Sequence, residues 1–204
     1  MPSVYHGMSI PDITCYTRPM GRWLPGAQQR LVDAAMALYA LRGFDQTTVA
    51  EIAKRAGLTE RTFFRYFADK REVLFAGSEA FAETVVRALG AAPTSLSALD
   101  AAYAALEPLS NFFTDERRDF ARRRNAIIAG NADLLERERL KLSALAEALA
   151  AGLRQRGVPD STARLAADAG VSVFRLAFER WIGADEDFVS ALRGSMDDLK
   201  ALTA

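Results

Sequence analysis

The sequence predicts an all-α protein, and three observations carry that expectation. From Ala27 onward, apolar residues recur at spacings of three and four. No run alternates cleanly with the two-residue period of a strand. The breaks between periodic segments are short and rich in helix-stopping or capping residues, as in GAAPTS, GNA, GVPD and GADE.

Each element follows in order. Residues 1–26 hold four of the seven prolines and no helical or strand period, so they are expected to be a flexible arm. That arm, or a start at Met8 or Met20, is the main expectation; the lesser alternative is that Arg18 and Arg22 reach a DNA minor groove. The first helix begins at Ala27, with Leu31, Ala34, Ala35, Leu38 and Leu41 as its apolar stripe and Gly43 as its stop. Thr48 and Glu51 have the spacing of a capping box, which starts a second helix whose Val49, Ile52, Ala53 and Ala56 face inward. After Gly57 a third helix is expected from about Glu60 to Phe67. A fourth should run from Asp69 to about Leu89, with the stripe Leu74, Phe75, Phe81, Val85 and Val86. Five further helices are expected over about 95–113, 116–129, 133–156, 160–183 and 187–202.

Composition limits what such a chain does. Half of its 204 residues are apolar, enough for a sizeable core, and a quarter are charged. No apolar run approaches the ~18 to 20 residues of a membrane span, and the start lacks the pattern of a secretory signal, so a cytoplasmic location is expected. A single Cys15 and a single His6 provide neither an internal disulfide nor a metal-ligand cluster; no metal and no cofactor is expected. There is no nucleophile elbow, phosphate loop or triad, so an enzyme is not expected. The 26 basic and 26 acidic residues cancel, which leaves local charge to carry any claim about nucleic acid. Residues 1–76 carry ten Lys/Arg against seven Asp/Glu, a small basic surplus.

That surplus coincides with LTERTFFRYFADKREVLF, Leu58 to Phe75. On a helix Phe63 and Phe67 share one side, while Arg61 and Arg65 lie together almost opposite, flanked by Phe64, Thr62 and Tyr66. Ala53, Gly57 and Phe63 then have the spacing of a helix-turn-helix: a small residue at the crossing, a glycine in the turn and an apolar anchor. With these features in place, the stretch GFDQTTVAEIAKRAGLTERTFFRYFADKREVLF, within Gln28 to Gly77, resembles the DNA-binding domain of the TetR family of transcriptional regulators. The combination of ERTFFRYF with an Arg-rich sixth helix is similar to a subgroup found beside mycofactocin clusters, some of which respond to acyl-CoA.

The resemblance divides the chain into an arm (1–26), a helix-turn-helix domain (27–76) and a C-terminal domain for ligand binding and dimerisation (77–204). It implies that the third helix lies in the major groove, with Glu60, Arg61, Thr62 and Arg65 at base edges or nearby phosphates. Thr47, Thr48, Thr59, Tyr66 and Lys70 match positions that touch phosphates. Phe64 stands where relatives often carry Tyr and offers only apolar contact, such as to a thymine methyl.

In the C-terminal part, VSVFRLAFERWIG is apolar around most of its circumference, with a narrow polar strip of Arg164, Asp168, Ser172, Arg175 and Glu179. A helix of that kind is expected to be covered on two sides. The resemblance implies a dimer formed by the last two helices, and Val171, Arg175, Phe188, Leu192, Met196 and Leu199 are the candidates for the seam, with packing inside the chain's own core as the alternative. Phe112, Phe113, Phe120, Ile127, Phe174, Phe178 and Trp181 are candidate ligand contacts or, as aromatic stripes more often are, ordinary core, with Arg123 and Arg124 either snorkelling to solvent or meeting an anionic ligand. The expected function is a homodimeric, ligand-responsive repressor of a palindromic double-stranded DNA operator, with a small hydrophobic or acyl-CoA-like effector and no membrane partner. The alternatives are a small-molecule-binding bundle without DNA and a constitutive regulator without an effector.

Overall fold

A computed structural model describes residues 26–184 and 186–202. The expected arm, with Arg18 and Arg22, lies outside the described residues but for Gly26. Within them the chain folds into α1 (Ala27–Arg42), α2 (Val49–Arg55), α3 (Glu60–Tyr66), α4 (Ser78–Ala91), α5 (Ala98–Leu106), α6 (Asp115–Ala129), α7 (Ala132–Gln155), α8 (Asp160–Gly183) and α9 (Phe188–Ala201). Two 310 turns, Glu72–Phe75 and Glu107–Phe112, complete the order, and no strand occurs among the described residues.

Local chemistry accounts for the helix ends. Gly43 leaves α1 at φ 86°, and Gly57 makes the turn between α2 and α3 at φ 66°, a left-handed backbone that a side chain would strain. Thr48 caps α2 reciprocally with Glu51: its hydroxyl oxygen accepts from the Glu51 N–H at 3.3 Å, and its own N–H donates to the Glu51 carboxylate at 2.9 Å. Thr59 caps α3 by accepting from the Thr62 N–H at 3.2 Å.

Two expected helices are divided. The Asp69–Leu89 segment becomes the 310 turn Glu72–Phe75 and then α4, because Gly77 adopts φ 86° between them. Asp69 still caps, accepting from the N–H groups of Arg71 and Glu72 at 2.7 and 3.2 Å. The 95–113 segment ends its α-helix at Leu106, and Pro108, which lacks an N–H, opens the tighter 310 turn.

Two apolar cores result. One gathers α1, α2, α3 and the Glu72–Phe75 turn around Leu31, Ile52 and Phe63, and takes in Ile128 of α6 and Leu134 of α7. The other lies among α4, α5, α7, α8 and α9, around Leu106, Leu149, Ala177 and Trp181. The expected stripe Leu74 to Val86 is shared between them, with Leu74 and Phe75 in the first and Phe81 and Val85 in or against the second. Val86 is exposed, and so is Leu41 at the end of α1, where Tyr39 and Phe44 close the core with their rings 5.3 Å apart.

Arginines on backbone carbonyls tie the elements to one another. On α6, Arg118 donates to the carbonyls of Ala184 and Glu186 at 2.9 and 2.8 Å, Arg122 to that of Ile182 at 2.6 Å, and Arg124 to that of Leu74 at 2.7 Å. Arg156 at the end of α7 donates to the carbonyls of Leu89, Ala92 and Pro93 and so fixes the end of α4. The planar guanidinium, with five donors, is suited to gathering several acceptors at once.

Candidate functional site

The first candidate site is the outer face of α3. Phe63 and Phe67 are buried, and their rings stand 5.6 Å apart beneath the helix. Glu60, Arg61, Phe64, Arg65 and Tyr66 are exposed and Thr62 is half-buried, as the helix geometry predicts. Lys54 and Arg55 on α2 are exposed as well, so four cations lie on the two helices against the exposed Glu60. The Arg65 guanidinium lies 5.0 Å from the centre of the Tyr66 ring and donates to its hydroxyl at 3.3 Å. Phe64 is 55% exposed, its ring set edge-on to Phe63 at 5.5 Å.

The residues expected at phosphates divide. Thr48, Thr59 and Tyr66 are exposed. Thr47 is not: it is 1% exposed, and its hydroxyl donates to the Gly43 carbonyl at 2.9 Å, closing the end of α1. Its side chain therefore cannot make the contact expected of it. Lys70 is half-buried and turned back on the chain, with Nζ donating to the carbonyls of Phe44, Asp45 and Thr47 at 2.9, 3.2 and 2.9 Å. The Thr48 cap lies beside the Glu51 carboxylate, whose charge Arg42 offsets at 2.7 Å. Hydrogen bonds from the backbone and hydroxyl of Thr48 hold the Glu51 carboxyl below its ordinary range, with Arg42 adding to them.

The second candidate site is aromatic. Phe113 stacks on Phe188 at 4.5 Å and meets Trp181, Phe178 and Phe174 at 5.3, 5.6 and 5.8 Å. The expected ligand set is thereby split: Phe112, Phe113, Phe174, Phe178 and Trp181 belong to the C-terminal core, whereas Phe120 and Ile127 pack against the helix-turn-helix core. One helical face of α6 had grouped these two with the others, but α6 turns that face toward α1. Phe81 of α4 completes the aromatic group, in ring contact with Phe112, Phe113 and Phe174 at 5.7, 6.0 and 5.3 Å. Sequence reasoning left Phe81 out of the ligand candidates, though its place in the apolar stripe of α4 was the available signal.

Arg124 meets neither of its expected fates. Its Nη1 pairs with Glu138 at 3.1 Å and its guanidinium sits 5.2 Å from the Phe75 ring. Burial lowers its pKa against the pull of Glu138, yet a guanidinium stays charged in a protein. Arg123 is exposed and lines an open groove of about 530 Å³ between α6 and the α1–α2 turn, with Arg42, Phe44 and Ile127. The expected dimer seam also needs correction. Val171, Phe188, Leu192 and Met196 are buried within the chain itself because α8 and α9 pack on each other through them; Leu199 is half-buried and Arg175 is exposed.

The pattern described as "Bacterial regulatory proteins, tetR family" matches residues 31–76, the helix-turn-helix core itself. Over 85 residues the chain is 35% identical to the HTH-type transcriptional regulator TcmR of Streptomyces glaucescens, covering 38% of each protein. It is 37% identical over 54 residues to MftR of Mycobacterium tuberculosis, named for mycofactocin biosynthesis, covering 26% of this chain and 27% of that protein. The matches thus span well under half of these curated relatives. Among solved structures, Thermus thermophilus FadR, a TetR-family transcriptional repressor in complex with lauroyl-CoA, superposes with a TM-score of 0.51 at 27% identity, over 85% of this chain and 93% of that one. The helix-turn-helix unit set by Thr59, Phe63 and Gly57 is thus similar in sequence to the tetR family of bacterial regulatory proteins over residues 31–76, and the chain as a whole shares its fold with a TetR-family repressor.

Proposed function

We propose that the protein is a dimeric DNA-binding repressor that leaves a palindromic operator when a small molecule enters its C-terminal bundle. The observation that carries this reading is α3, held from beneath by the buried Phe63 and Phe67 while Arg61, Phe64 and Arg65 are exposed and Thr62 is half-buried beside them. A fixed helix with forked donors on its outer face is what major-groove reading requires. Thr48, Thr59 and Tyr66 would hold the backbone, and Glu60 would sit at the groove edge. A cytoplasmic location goes with DNA as partner, and no helix among the described residues is long and apolar enough to cross a membrane.

The dimer seam is assigned to the outer stripe of α8, where Leu165 and Leu176 are 73% and 37% exposed, with Ser172 between them and Arg175 beside it. Exposed leucines aligned on a helix already covered on its other side gain burial from a second copy. Two linked reading helices then select a palindrome.

Response to a ligand follows from Phe81. A molecule entering among Phe112, Phe113, Phe174 and Phe178 displaces a ring that belongs to α4, and α4 leads through Gly77 and the Glu72–Phe75 turn into the helix-turn-helix. A hydrophobic or acyl-CoA-like effector is supported by the apolar, aromatic lining and by the lauroyl-CoA bound to the Thermus thermophilus repressor. The test is a gel shift on the gene's own upstream region, followed by a thermal-shift screen of acyl-CoAs and hydrophobic cations. Binding that depends on a palindrome, and is released by a hit, supports the reading. By linkage the hit and DNA must weaken each other by the same factor; absence of palindrome-dependent binding at low salt would refute it.

A further inference from the structure

Lys70 is the cation that the family resemblance assigns to a phosphate, and its geometry points to a different task. Its ammonium has three N–H donors, and three backbone carbonyls receive them: Phe44 at 2.9 Å, Asp45 at 3.2 Å and Thr47 at 2.9 Å. The charge also lies 4.3 Å from the centre of the Phe44 ring, whose electron-rich face favours a cation. The backbone is held too, since the Tyr39 hydroxyl donates to the Lys70 carbonyl at 2.6 Å. Burial raises the pKa of that phenol, which keeps the donor protonated.

We propose that Lys70 is a positioning residue that closes the helix-turn-helix into one rigid unit and does not itself bind phosphate. It follows the end of α3 by four residues, and the carbonyls it gathers belong to the turn that leads into α2. The bond set therefore joins the exit of the reading helix to the start of the unit, fixing α3 relative to α1 and α2. The same turn is touched from the bundle, where Asn131 donates to Asp45 at 3.3 Å. A compact ammonium sets its three donors around one nitrogen, whereas a guanidinium spreads its donors over a longer planar fork and would meet these three carbonyls only if the turn shifted. Reaching a phosphate would require Lys70 to give up at least one of these bonds.

The first test uses the unmodified protein. Under brief treatment with an amine-acetylating reagent, Lys70 should react at least tenfold more slowly than the exposed Lys54 in the absence of DNA, and adding DNA should protect it no further. Equal rates for the two lysines, or protection of Lys70 that appears only with DNA, would overturn the proposal. The second test rests on the DNA-binding reading above. Lys70→Met should weaken binding to all sequences alike while leaving the slope of log affinity against log salt unchanged. A phosphate contact would instead lower that slope by about 0.9. Lys70→Arg should fail to restore affinity, and full restoration would count against the staple. If the unmodified protein binds no DNA, the proposed function fails and the acetylation rates on free protein still decide the role of Lys70.

Discussion

The Arg124 Nε–H donates to the main-chain carbonyl of Leu74 at 2.7 Å, so α6 of the bundle grips the helix-turn-helix core by its backbone. A side chain bound to a carbonyl holds the position of a segment whatever side chains that segment carries. Under the proposed ligand response, this bond would carry a movement of α6 to the Glu72–Phe75 turn.

Arg124→Met should destabilise the protein by about 2 kcal/mol, because it leaves the Leu74 carbonyl and the half-buried Glu138 without their donor. Urea unfolding checks this. Arg124→Lys should recover only part of the loss, since a single nitrogen replaces the separate Nε and Nη1 donors that serve Leu74 and Glu138.

Glu72 predicts an acid-sensitive joint. Burial pushes its carboxyl up, but hydrogen bonds and charge from Arg137 at 2.6 Å and Lys141 at 3.0 Å outweigh that and hold it below the ordinary value of 4.5. A depressed folded-state pKa contributes stability that is fully present above the unfolded value and is lost as pH falls through the folded one. The urea midpoint of the native protein should therefore drop as pH falls below about 4.5, and Glu72→Gln should flatten that acid limb.

Phe63 and Phe64 are adjacent and should behave oppositely. Phe63→Ala removes a fully buried ring and should cost about 3–5 kcal/mol, visible as a lower melting temperature. Phe64→Ala, at an exposed position, should change stability by less than about 0.5 kcal/mol. On an operator carrying deoxyuridine in place of thymine, the native protein should lose affinity and Phe64→Ala should not.

Arg65→Ala should relax preference at one base pair by roughly 1–3 kcal/mol. Competition of operator against random DNA reads this directly. Equal losses on both would remove Arg65 from the reading role and leave it as a partner of Tyr66.

Gly152→Ala tests how closely α4 lies on α7. A Cβ there would stand 2.5 Å from Cδ2 of Leu89, whose side chain is itself fully buried. The crowding should cost about 1–3 kcal/mol. Because it pushes on α4, it should also alter operator affinity, which titration would register.

The sequence by itself determined the parts whose physics is local. Thr48 with Glu51, Gly43, Gly57 and the opposed faces of α3 were legible because caps, left-handed turns and helical phase depend on residues within a few positions of one another. The tertiary structure decided the rest. Whether Phe120 faces an effector or the helix-turn-helix depends on which helix lies beside α6, and whether Phe188 and Met196 face a partner or their own chain depends on how α9 meets α8. Lys70 makes the same point at one residue: it is a polar residue of the helix-turn-helix unit, and only the converging carbonyls of Phe44, Asp45 and Thr47, more than twenty residues away in the chain, turn it inward. Backbone acceptors carry no signature of residue type, so a bond to one is written in the fold and not in the sequence.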